Sequence, residues 1–216
     1  MMDQIVTDIK LQTHDKNRVS IFINGDYRFS ICLALAGAMA KGQSIDESQV
    51  QALIEKDQQH QAYHKAVRFL GFRSRSIHEI NVYLEAKGFA ALAITHTIEK
   101  LIRLKYLDDE TFAREWIDHR KRISPRSALH LRWELKQKGI ADSVVDQLLN
   151  EFDEYESAWS AIKRKLHRWE HLDPVEFKKK VFSFLSRKGF PMDTCRYACD
   201  RALKSVDEEK GPGAEG

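Results

Sequence analysis

The sequence predicts a mainly α-helical protein, with tandem three-helix repeats in a curved array behind a small N-terminal antiparallel β-meander. Three observations predict it. The phrase Leu-x-x-Lys-Gly followed by a large apolar residue occurs three times, as Leu84–Phe89, Leu135–Ile140 and Leu185–Phe190, and its glycines are 51 and 50 residues apart, which is repeat spacing. From about residue 61 apolar residues recur at a period near 3.6, whereas residues 5–30 alternate. Ten glycines and four prolines in 216 residues, with 31% charged residues, favour long helices with solvated faces.

The repeated phrase reads as a helix end. With Gly88 at C′, where a left-handed backbone is cheap without a Cβ, Lys87 becomes the C-cap and faces the negative end of the helix dipole. Leu84 and Phe89 then fall at C3 and C″, which a Schellman stop brings into contact, and the same arithmetic pairs Leu135 with Ile140 and Leu185 with Phe190.

In chain order, Ile5, Thr7, Ile9 and Leu11 alternate with polar neighbours, and Asp15-Lys16-Asn17 turns the chain. Val19, Ile21 and Ile23 alternate again, Asn24-Gly25 supplies a hairpin turn, and Tyr27 and Phe29 follow, giving a three-stranded meander. Residues 31–40 are Ala/Leu-rich and read as helix, so 1–42 forms the first unit. A connecting helix spans 43–60, opening at Ser44 and Glu47 with capping-box spacing and running to about residue 57. Three-helix repeats follow at 61–107, 108–152 and 153–206. Ser76/Glu79 opens the second helix of repeat one, and Asp108-Asp109-Glu110 opens repeat two. Ser124-Pro125 is read as an N-cap with proline at N1, and Asp173-Pro174 as another. The first helix of repeat three uses Tyr155, Ala158, Trp159, Ile162, Leu166 and Trp169. Registered on their glycines, Ile80, Leu131 and Val181 share a column, as do Ile94, Val145 and Cys195, and Ile98, Leu149 and Cys199. Residues 207–216 are acidic and Gly/Pro-bearing and are expected to be disordered.

The formal net charge is only +3, but residues 61–107 carry eight Lys/Arg against three Asp/Glu. Three cysteines without framework spacing fit a reducing cytosol, and the longest apolar run, Ile31 to Ala40, is too short to span a bilayer. No basic stretch followed by an apolar core marks the N-terminus, so a cytoplasmic protein without an export signal is expected.

No catalytic motif or cofactor motif is present. There is no phosphate-binding glycine loop, and His78-Glu79 lacks the second histidine of a zinc-protease signature, position 82 being Val. His167/His171 and Cys195/Cys199 are each four apart, but both cysteines fall in apolar repeat columns, so core packing is favoured over metal binding. Trp116 and Trp159 lie on apolar stripes, whereas Trp133, between core positions 131 and 135, is an exposed contact candidate.

The basic residues carry the strongest functional pattern. Arg68, Arg73 and Arg75 lie around the turn from helix one to helix two of repeat one, and Arg120, Lys121, Arg122 and Arg126 hold the same corner of repeat two. Stacked units would make a positive ridge for an anionic partner, against the alternative of an ordinary solvated surface. In repeat three the corner holds Glu170, His171, Asp173 and Glu176, so the ridge is expected to stop there.

Tyr106-Leu107-Asp108-Asp109, Phe112-Ala113, Trp116-Ile117, Arg120 and Glu134-Leu135-x-x-Lys138-Gly139-Ile140 resemble the central signature of the RecX family of recombination regulators. Arg73-Ser74-Arg75-Ser76 with Glu79, Leu84, Lys87 and Gly88 resembles its preceding block, and Pro125-Arg126-Ser127 departs from the Gly-containing turn common in members. The resemblance covers residues 61 to about 205, and the N-terminal strands resemble an extension of some members. It implies a non-enzymatic modulator of the RecA recombinase that lies in the groove of the RecA–DNA filament and mostly inhibits recombinase, ATPase and coprotease activities; a monomer is expected. Weak DNA binding is compatible with it. Two other readings stay open: a sequence-tolerant nucleic-acid-binding protein without RecA, and a helical scaffold gripping a peptide.

Overall fold

A computed structural model describes residues 4–210, with side chains to Ser205. The chain divides into two compact units, Met1–Leu107 and Asp108–Gly216.

The first unit opens with strands β1 (Val6–Leu11), β2 (Arg18–Ile23) and β3 (Asp26–Cys32), an antiparallel sheet in the order β1-β2-β3. Asn24 and Gly25, at φ of 53° and 96°, form the tight turn that pairs Ile23 with Asp26. Alternation holds in β2, where Val19, Ile21 and Ile23 are buried, but not as expected in β1. A bulge between Val6 and Asp8 shifts the register, so Val6 is buried while Ile5 is exposed, and Leu11 is exposed at the end of the strand.

Two helix expectations are corrected here. The helix expected over 31–40 is only α1 (Leu33–Ala36), and the connecting helix and first repeat helix are one element, α2 (Glu47–Leu70). Asp46 and Gln49 form its capping box, while Ser44 instead bridges Ile5. Nothing between residues 57 and 61 breaks a helix, because Gln58-Gln59-His60-Gln61 contains neither glycine nor proline. The fused helix therefore serves two cores: Val50 packs with the sheet, and Ala62 and Ala66 with the first repeat. Buried Asp57 ties helix to sheet, accepting from Cys32 N–H at 2.7 Å, Gln61 Nε2 at 2.7 Å and Arg18 Nη2 at 2.9 Å. Helices α3 (Ile77–Ala86) and α4 (Ala91–Arg103) complete repeat one, and α3 starts at the Ser76/Glu79 capping box.

The second unit holds α5 (Asp109–Ile123), α6 (Ala128–Gln137) and α7 (Asp142–Asn150), then α8 (Glu154–Lys163), α9 (Pro174–Ser186) and α10 (Met192–Lys210). Helix α8 stops short of Leu166 and Trp169, which lie on and beside a single 3-10 turn at Leu166–Arg168 and pack on the third core from there. Asp173 caps α9 with Pro174 at its start. Helix α10 carries Asp207–Lys210, where a disordered tail was expected to begin, and residues 211–216 of that tail lie outside the described residues.

All three glycine stops form. Gly88, Gly139 and Gly189 have φ of 80°, 73° and 83°. Phe89, Ile140 and Phe190 donate their N–H groups to the carbonyls of Leu84, Leu135 and Leu185 at 3.1–3.3 Å, and each glycine N–H bonds one residue further on, the Schellman pattern. Leu84, Leu135 and Leu185 are fully buried, and so are Ile80, Leu131 and Val181 to within 1%. Cys195 and Cys199 sit in the third core, where burial pushes both thiols above their ordinary range. The last turn of α4 repeats the Schellman bonds with Lys105 in the glycine's place at φ 59°.

Candidate functional site

The corner of repeat two lies between α5 and α6. The last turn of α5 carries Arg120, Lys121 and Arg122, cations suited to a helix C-terminus. Ser124 is the C-cap of α5 and Pro125 a buried link residue; Ser127 is the N-cap of α6, its Oγ accepting from His130 N–H at 3.1 Å. The expected Ser124-Pro125 helix start is thus displaced by three residues. Proline restricts the residue before it to extended backbone, and the next competent cap is Ser127.

The predicted contact residues divide into anchored and available groups. Arg120 is anchored: its Nε donates at 2.7 Å to Glu134, whose side chain is 8% exposed and also accepts from Trp116 Nε1 at 2.8 Å. The Arg120 guanidinium also lies over the Trp116 ring at 4.9 Å. Lys121 stands 3.8 Å from Asp118 and over the Phe152 ring. Arg122 is exposed and has no ion-pair partner among the described residues, its carbonyl accepting from Arg164 Nη2 at 2.8 Å. Arg126 buries its Nε with no hydrogen-bond partner. Trp133 is 59% exposed and Leu129, one turn earlier on α6, is 71% exposed, so the two form an apolar strip in water.

The positive surface does not stop at repeat three. Half-buried Lys188 donates to Pro125 O at 3.2 Å and Ser124 Oγ at 3.4 Å, bringing its charge onto the repeat-two corner. Burial, followed by Arg126, Lys165 and Arg120, pushes its pKa below the ordinary lysine range. Lys165 and Lys188 also stand over the Phe184 ring, at 5.9 and 5.4 Å. Neither lysine was singled out from sequence, although Lys188 belongs to the repeated phrase. The lysine of every copy sits over an aromatic ring, Lys87 over Tyr83 at 5.7 Å and Lys138 over Trp116 at 5.0 Å, a contact that the repeated phrase does not itself write.

In the first unit, Arg73 makes a bidentate pair with Glu79 at 2.8 and 3.0 Å and donates to Ser74 O, so it braces the cap of α3. Arg75 stacks on the Phe69 ring at 3.9 Å, and its Nε is buried without a hydrogen-bond partner. Burial, then Arg73, lowers its pKa from the ordinary value. Arg68 is exposed and lines a cleft between α2 and the sheet. Arg75 and Arg126 are 51 residues apart, the repeat spacing, and both immediately precede a serine N-cap.

Fold and surface together define a tandem three-helix protein with a cationic corner in repeat two and an exposed tryptophan on α6. Family models match in four consecutive blocks: the RecX N-terminal domain at residues 4–46, and the first, second and third RecX three-helix domains at 62–101, 108–149 and 153–199. The regulatory protein RecX of Bacillus licheniformis is 32% identical over 97% of this chain and 80% of its own. That of Chlorobium phaeobacteroides is 33% identical over 67% of this chain and 95% of its own. The chain belongs to the RecX family of regulatory proteins. A crystal structure of regulatory protein RecX superposes with a TM-score of 0.68 at 24% identity, covering 91% of this chain and 99% of that one. RecX from Lactobacillus salivarius gives 0.58 at 21% identity, covering 71% and 99%, and both share the fold.

Proposed function

We propose that this protein binds RecA or the RecA–DNA filament and modulates it, mostly by inhibition, as a cytoplasmic monomer without catalytic chemistry of its own. The observation that carries the reading is the surface of repeats two and three, in a chain of the RecX family. Lys188, Arg126, Lys165 and Arg120 converge there on one corner, and Trp133 stands exposed on α6. Tryptophan and arginine are the residues that most often dominate binding energy at interfaces, and a cation cluster suits an acidic protein groove or phosphate. Arg120 serves by holding Glu134 and Trp116, while Arg122, Arg126 and Trp133 supply the contact.

RecA-dependent ATP hydrolysis on single-stranded DNA, measured while this protein is titrated in, tests the reading. Inhibition approaching completion near stoichiometry with RecA is expected. No change at excess protein, together with tight, salt-steep binding to DNA alone, would replace it with the nucleic-acid-binding reading.

A further inference from the structure

The cleft that takes Arg68 has a composition the regulatory reading does not use. It has a volume of about 850 Å³, within the range of small-molecule sites, and lies entirely in the first unit. One wall is a single face of α2, where His60, His64 and Arg68 follow one another at four-residue spacing with Lys65 beside them. Arg18 of β2, Cys32 of β3 and the turn residues Asp15 and Asn17 line the rest, and Leu33 and Ala34, both exposed, add an apolar patch.

The charges leave this cleft cationic. Arg18 is spent on Asp57 at 2.9 Å, and Asp57 in turn is filled by Cys32 and Gln61. Lys65 and Arg68 are exposed and have no ion-pair partner among the described residues. The one carboxylate lining the cleft, Asp15, accepts from Asn17 N–H at 3.0 Å within its own turn. The Nε2 atoms of His60 and His64 are 3.2 Å apart, close enough to share one proton. Such a pair could chelate a dication, but no group of three metal-ligating side chains exists among the described residues, and Arg18 and Lys100 bear on His60 with positive charge.

We propose that this cleft binds a small organophosphate of nucleotide size, its phosphate held by His60, His64, Lys65 and Arg68 and its apolar body against Leu33 and Ala34. Histidine and guanidinium N–H groups match phosphate oxygens, and the apolar patch of Leu33 and Ala34 distinguishes an organic phosphate from the bare ion. Burial first, then His64, lowers the His60 pKa, with Lys100 and Arg18 acting the same way and Asp57 opposing them. A bound dianion opposes those positive charges and favours the protonated form of His60. This inference is independent of the RecA reading.

The test uses the full chain, following the His60 and His64 ring resonances by NMR during titration with AMP, adenosine and inorganic phosphate at constant ionic strength. AMP should shift both rings saturably, at least about tenfold more tightly than inorganic phosphate, and adenosine should leave them in place. Lys65→Glu/Arg68→Glu should weaken AMP by about tenfold or more while the chain stays folded. Neither side chain makes an ion pair among the described residues, and the reversed charge at the end of α2 lowers the unfolding temperature only slightly. Three results would each overturn the proposal: no saturable shift with AMP, an equal response to adenosine, or AMP binding undiminished in the double variant. Tighter binding of an oligonucleotide lacking terminal phosphates would reassign the cleft to a strand.

Discussion

Repeats one and two are laid on the same apolar columns, yet they fill the position before the buried leucine of the glycine stop in opposite ways. Repeat one has Tyr83 there, stacked on Phe69 at a centroid distance of 4.0 Å, with Arg75 over the other ring. Repeat two has Glu134, a buried carboxylate held by Arg120 and Trp116. The aromatic solution stacks its nearby cation on a ring, whereas the carboxylate solution holds its cation by a direct ion pair. A frame shared by the two repeats, with a different occupant at one position, thus decides how each nearby arginine is held.

The largest expected effect comes from breaking the carboxylate solution. Glu134→Ala strands Arg120 and the Trp116 indole N–H, and should lower stability by about 3–5 kcal/mol in chemical denaturation. Tyr83→Ala should cost less, about 1–3 kcal/mol, because it removes area and a stacking contact without leaving a charge behind. Equal losses at the two positions would erase the distinction.

The glycine stops sharpen the contrast further. All three glycines need a left-handed backbone, but a Cβ at Gly88 meets open space, whereas one at Gly189 would lie 2.8 Å from Ser127 Oγ. Gly88→Ala should therefore cost about 1–2 kcal/mol of backbone strain. Gly189→Ala adds crowding against the cap of α6, for a total of about 2–4 kcal/mol. Thermal unfolding of the two variants side by side reads the difference. The smallest effect is a gain: Lys105 occupies the same left-handed stop without being glycine, so Lys105→Gly should stabilise by about 1 kcal/mol.

The repeat frame was legible because it is local. Each glycine stop is written within six residues, and the Ser76/Glu79 cap within four, so periodicity and spacing locate them. What escaped the sequence is non-local or depends on an absence. Nothing in the chain announces that Asp57 will accept from residues 25 and 39 positions away, or that Lys188 will reach a carbonyl 63 positions earlier. The fusion of two expected helices into α2 followed from the lack of a breaker, which is a weaker signal than a cap. In β1 the alternation was real but a bulge moved it by one residue, enough to exchange Ile5 for Val6 in the core. For the candidate surface, charge and exposure were readable for Arg122 and Trp133. The carboxylate partner of Arg120 was not, since it depends on packing between α5 and α6, and that of Arg73, only six residues away, was read as a cap alone.

That division sets the decisive measurement. Affinity for RecA–single-stranded DNA filaments should be compared between the wild-type chain and Trp133→Ala/Arg122→Glu, two exposed positions whose change leaves the chain folded and costs about 1 kcal/mol or less at the end of α5. The account predicts a loss of at least about tenfold in affinity, as expected for an interface anchor removed together with a reversed charge. Wild-type affinity in that folded variant would contradict the claim that repeat two presents the contact surface.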